Sequence, residues 1–221
     1  MAVSRYVSRT YGWMFLGLLI TGMVSLGLAS SEDAMRTIAT SPGLMFGAII
    51  AQFAVVIGLT AGFRRLSSAA AMGLFLLYSA LTGVTMSVVF LVYTASSIAN
   101  VFFITGGMFG GLALFGTITK KDLTGVGATV GMGLWGLILV GIVNMFVQSS
   151  ALNMALSVVT VVIFAGLTAY DAQKIRMLAL QSADGPSEES SKSAVYGALS
   201  LYLDFINMFW ALLRLFGDRR E

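Results

Sequence analysis

The stretch Leu199-Ser-Leu-Tyr-Leu-Asp-Phe-Ile-Asn207 sets an aspartate, Asp204, in the middle of an apolar run. The preceding apolar run closes on a second one, Asp171, in Gly166-Leu-Thr-Ala-Tyr-Asp-Ala-Gln-Lys174. The other eight acids are Glu32, Asp33, Asp122, Asp184, Glu188, Glu189, Asp218 and Glu221, and all of them lie in polar connections or near the chain end. Placing a carboxylate in hydrocarbon costs about 2.5–3.5 kcal/mol on insertion scales. Two aspartates committed to apolar segments therefore point to a use.

Composition makes hydrocarbon the natural surroundings. The 221 residues are 57% hydrophobic and only 10% charged, with a mean hydropathy of +0.90, well outside the range of soluble domains. Apolar runs of about twenty residues each match the thickness of a bilayer. A transmembrane barrel would instead require short segments of alternating polarity. The fold expected is therefore all-α and polytopic. The absence of cysteine and histidine excludes disulfides, thiol chemistry and the usual zinc sites, so any metal must be a hard cation held by oxygen. No cofactor is required. The calculated pI of 9.3 does not indicate nucleic acid, because the basic residues flank the apolar runs as orientation determinants do.

Seven spans are read, over residues 11–30, 43–63, 69–93, 98–119, 125–147, 151–172 and 194–217, with tails at 1–10 and 218–221. The first run is too long for the core of a secretory signal. Arg5, Arg9, Arg64, Arg65, Lys120, Lys121, Lys174, Arg176 and Lys192 fall in the N-terminal tail and the even-numbered connections, whereas the odd-numbered ones hold only Arg36. This asymmetry predicts a cytoplasmic N-terminus. A fully spanning seventh run then puts the C-terminus outside, which Arg219 and Arg220 oppose, so a re-entrant seventh segment stays open. Gly58-Leu-Thr-Ala61 and Gly166-Leu-Thr-Ala169 recur at corresponding run ends, which sets Arg64 and Arg65 at about the depth of Asp171. The pairs Gly58/Gly62, Gly106/Gly110, Gly107/Gly111 and Gly127/Gly131 are spaced for close helix packing; they do not fix the oligomeric state.

On the seventh run, Gly197, Ser200, Asp204, Asn207, Ala211 and Arg214 recur at steps of three and four and share one helical face. On the sixth, Ser157, Thr160, Phe164, Thr168 and Asp171 form a comparable line. These stripes predict that Asp171 and Asp204 meet inside a bundle. One obstacle is depth, since Asp171 closes its run while Asp204 lies about ten residues into its own, a mismatch of roughly 10 Å. A seventh helix that enters lipid nearer Gly197, or a sixth that continues past Arg176, would remove most of it. Two carboxylates in contact do not readily ionise together, and their titration belongs to the pair. Such a pair could sense pH, offer oxygens to Ca²⁺, or be latched by Arg64 or Arg65. The plainer alternatives are a protonated aspartate bonded to Asn207, Ser200 or a carbonyl, and arginines that only set topology.

The two aspartate segments, together with Leu213-Arg-Leu-Phe-Gly217, Tyr78-Ser-Ala-Leu-Thr-Gly83 and Val92-Tyr-Thr-Ala95, closely resemble the Bax-inhibitor family, the transmembrane Bax inhibitor motif proteins, in a bacterial inner-membrane form. The resemblance covers nearly the whole chain. It implies seven helices with the seventh enclosed by the other six, and a pH-sensitive calcium leak. It also implies a di-aspartyl sensor formed by Asp171 and Asp204, with an arginine of the second helix, Arg64 or Arg65, as partner. The second run contains no acid, so no further carboxylate ligand comes from it.

The function expected is a pH-gated cation leak for calcium, without covalent chemistry. Asp171, Asp204, Arg64 and Arg65 form its sensor and gate, and Thr168, Ser200, Asn207 and Arg214 its supporting polar face. The expected partners are the bilayer, calcium and protons. The alternatives are a non-conducting protein that modulates a membrane partner such as a protease, cued by the acidic loop around Ser182–Lys192, and a proton-coupled cation exchanger. An enzyme is not expected. Intramembrane aspartyl proteases add a Gly-x-Gly-Asp frame that Leu203-Asp204 lacks, and no phosphate-binding loop or nucleophile elbow occurs.

Overall fold

A computed structural model describes residues 2–63, 65–181 and 187–220. Every long element among them is a helix: α1 (Ala2–Ala29), α2 (Glu32–Thr40), α3 (Pro42–Gly62), α4 (Ser68–Met86), α5 (Val89–Val92), α6 (Ala95–Ile118), α7 (Thr124–Val147), α8 (Ser150–Gln181) and α9 (Glu188–Phe216). Seven helical segments are long and apolar enough to cross a membrane, with α4 and α5 together forming the third. Side chains such as Phe103, Trp135 and Phe146 are exposed to 75%, 71% and 85%. An outer surface of that kind belongs in lipid, where helices satisfy their own backbone hydrogen bonds. The protein is a multi-pass α-helical membrane protein. Of the seven, α9 is the most buried, with 61% of its apolar window inside against 6% for α3 and α7.

Local chemistry explains where the helices start and stop. Ser31, Ser67 and Thr94 accept from the amides of Ala34, Ala70 and Ser97 and cap α2, α4 and α6, and Pro42 opens α3 without a wasted donor. The third span breaks after Met86, where the Ser87 hydroxyl donates to the carbonyl of Val84 at 2.6 Å. The turn from α7 to α8 uses Gln148 in the left-handed conformation (φ 52°). There Asn144 accepts from the amide of Ser149 and donates to the Asn153 side chain.

Several expectations shift. Residues 2–10, read as a tail, are the first turns of α1. The polar connection after the first span contains α2, whose Met35 and Ile38 are buried three residues apart. Gly58, Gly106, Gly107, Gly110, Gly111 and Gly131 face open space, so glycine spacing alone did not locate the close contacts. Finally, α8 runs on past Arg176 to Gln181, ten residues beyond Asp171.

The described chain forms two units. The first holds α1 to α5 and α9 as far as Tyr202; the second holds α6 to α8 and the chain from Leu203 to Arg219. The core of the first is the fully buried Tyr202, edge-on to Phe75 and Tyr78. In the same unit Arg9 donates to the Ser191 hydroxyl at 2.8 Å, and Glu188 accepts from the amide of Ser68. In the second unit Phe102 and Phe109 pack on Phe205 of α9. The seventh span is a full-length helix, and beyond its end the carbonyl of Asp218 accepts from the amide of Thr94 at 3.0 Å. Asp218 therefore lies beside the connection between the third and fourth spans.

Candidate functional site

The helix that carries Asp171 is held on either side of that residue by three contacts within the second unit. Gly116 of α6 comes against the carbonyl of Ala169 so closely that a Cβ there would overlap the oxygen. Gly127 of α7 lies under the Tyr170 ring, whose nearest atom is 2.6 Å from where a Cβ would sit. Gln173 completes the clamp, its side chain 8% exposed. Its amide nitrogen donates to the carbonyl of Lys121, and its oxygen accepts from the amide of Leu123, each at 2.8 Å. The Lys121–Leu123 connection is thus stapled to α8 on either side of Asp122. At the surface, the amide and hydroxyl of Thr124 both donate to Asp122 and hold its carboxyl below the usual carboxylate range.

Asp171 and Asp204 fall in the same unit, near enough for the charge of one to act on the other. Asp204 is 4% exposed. Its Oδ2 is buried without a hydrogen-bond partner among the described residues. Asn207 does not supply one, because its amide nitrogen donates to the carbonyl of Leu203 at 2.8 Å. Thr168 is fully buried and donates to the carbonyl of Phe164. An apolar segment therefore carries a carboxyl with spare acceptor capacity next to a second carboxyl, an arrangement able to hold a proton or a hard cation. No cluster of three or more metal-binding side chains occurs among the described residues, so a cation here would draw on the pair, carbonyls and water.

The remaining expected residues divide. Asn207 and Arg214 share the second unit with the pair, while Ser200 belongs to the first and is half-buried there. Arg65 is exposed in the link before α4. Arg64 lies outside the described residues.

Sequence reading assigned no role to Gln173, Gly116 or Tyr202. Tyr202 precedes Asp204 by two positions, and its hydroxyl lies 2.6 Å from that of Thr21. Since Thr21 gives its own proton to the carbonyl of Ser79, Tyr202 is the donor to Thr21. A tyrosine on the otherwise apolar flank of α9 was the available cue, because a buried phenol needs a partner.

The fold defines the class: an all-α, multi-pass membrane protein that carries two aspartates within its helices. The model of the family described as inhibitor of apoptosis-promoting Bax1 matches residues 3–221. The chain belongs to this Bax inhibitor family. It is similar to the inner membrane protein YbhL of Escherichia coli (strain K12), 46% identical over 99% of this chain and 93% of the relative. An uncharacterized protein of Borreliella burgdorferi is 42% identical over 99% and 94% of the two chains. One of Deinococcus radiodurans is 39% identical over 99% and 92%.

Proposed function

We propose that the protein is a pH-sensitive cation leak for Ca²⁺, seated in a bacterial inner membrane with its N-terminus in the cytoplasm. The observation that carries the reading is Asp204 itself, buried in a membrane helix with an unpartnered carboxyl oxygen beside the charge of Asp171. When both are ionised, the pair closes the cytoplasmic mouth, with Ca²⁺ as the ion it takes. Protonation removes the charge that the latch depends on, so flux rises as pH falls. Inner-membrane placement is supported by the resemblance to YbhL, and the orientation by the distribution of basic residues.

The test is calcium entry into proteoliposomes over a range of pH. Wild-type protein should leak faster in acid. Asp171→Asn combined with Asp204→Asn should leak at a rate that pH no longer changes. Flux indifferent to both pH and the double substitution would refute the reading.

A further inference from the structure

A cavity of about 290 Å³ lies in the second unit between α7, α8 and α9. Leu134, Leu137 and Ile138 form its α7 wall; the facing walls carry Ser157, Thr160, Asn207, Trp210 and Arg214. Ser157 and Thr160 give their protons to the carbonyls of Asn153 and Leu156, and Asn207 donates to Leu203. Each still has oxygen lone pairs to satisfy. Arg214, in the last turn of α9, lies exposed over the Trp210 ring at 5.7 Å. No carboxylate among the described residues forms an ion pair with it. A guanidinium surrounded by hydrocarbon costs about 2.5–3.5 kcal/mol, and unused polar oxygens add to that cost. Lipid chains would relieve neither, whereas water relieves both, and the cavity has room for a cluster of waters. Phe164, only 6% exposed, also lines it, one turn before Thr168 and two before Asp171.

We infer that this cavity is a water-filled vestibule open at the face where α9 ends, floored by Phe164, in which Arg214 gathers small anions and repels cations. In a cation leak, a consequence that rests on the reading above, Arg214 is then the electrostatic barrier on the far side of the aspartate pair.

The chain has no cysteine, so single thiols can be introduced without altering a native one. Ser157→Cys, Thr160→Cys and Thr168→Cys are treated from each membrane face in turn with methanethiosulfonates carrying a sulfonate or a trimethylammonium group. Rates are normalised to a free thiol in solution. Thiols at 157 and 160 should react only from the face where α9 ends, about tenfold faster with the anionic reagent. In an Arg214→Gln background that preference should fall to about unity. The thiol at 168 should stay protected until Phe164→Ala is added. Labelling at 157 and 160 by a lipid-soluble maleimide but by neither charged reagent would show a lipid-filled groove and overturn the proposal. A rate ratio that ignores Arg214→Gln would overturn it too. Two near-isosteric thiol positions guard against a variant that does not fold. None of these measurements reads calcium flux, so their failure is distinct from failure of the leak.

Discussion

Gly116 touches the carbonyl of Ala169 backbone to backbone, two residues before Asp171. Helix association in lipid relies on such approaches. Gly116→Ala should force α6 from α8 and destabilise the protein by about 1–3 kcal/mol, measured by unfolding in detergent. Gly106→Ala, on the same helix but facing open space, should be close to neutral.

Gln173 satisfies two backbone groups of the neighbouring connection at once. Gln173→Leu keeps the bulk but leaves the Leu123 amide and the Lys121 carbonyl without their partner. A loss of about 1–3 kcal/mol is expected, and hydrogen exchange at Leu123 should accelerate. An unchanged exchange rate would show that the staple does not hold the loop.

Asp122 gives a pH effect of known sign. Its folded carboxyl lies below the ordinary 3.8 because Thr124 donates to it twice. The stabilisation is complete above the unfolded value and is lost as pH falls through the lower folded one. The first turn of α7 should therefore fray only in strong acid, read as faster exchange of the Thr124 amide, and Asp122→Asn should abolish that dependence. Around neutral pH the group stays charged, so the same substitution should leave the pH profile of calcium flux unchanged.

The Tyr202–Thr21–Ser79 relay has a direction, and its two ends should respond unequally. Tyr202→Phe removes a donor and leaves Thr21 still bonded to Ser79, a loss of about 0.6 kcal/mol by the membrane average. Thr21→Val takes away both the partner of the phenol and the bond to the Ser79 carbonyl and should cost more, about 1–3 kcal/mol. Equal losses in a thermal unfolding series would mean that the proton order is wrong.

The helical class was legible because the length and apolarity of the runs admit no other solution in a bilayer, while steps of three and four mark the helix faces that carry the two aspartates. Glycine contacts were not, since spacing says which glycines share a face but not whether that face meets a helix or lipid. Gly127 makes a contact and Gly131, one turn on, does not. The helix over Glu32–Thr40 was hidden by its charge, although Met35 and Ile38 were three apart. The depth of Asp171 depended on where α8 stops. Residues 174–181 are charged enough to read as a connection, yet Ile175 and Ala179 are buried at 2% and 0%.

The end of the chain is fastened as well as positioned. The carbonyl of Asp218 accepts from Thr94, its amide donates to Ser97, and the amide of Arg220 donates to the carbonyl of Val92. A reporter domain joined directly after these residues would pull on that clasp, so a spacer is needed. With seven crossings, reporters at the two ends should light up in opposite compartments, which turns a simple fusion pair into a direct reading of which way the protein stands.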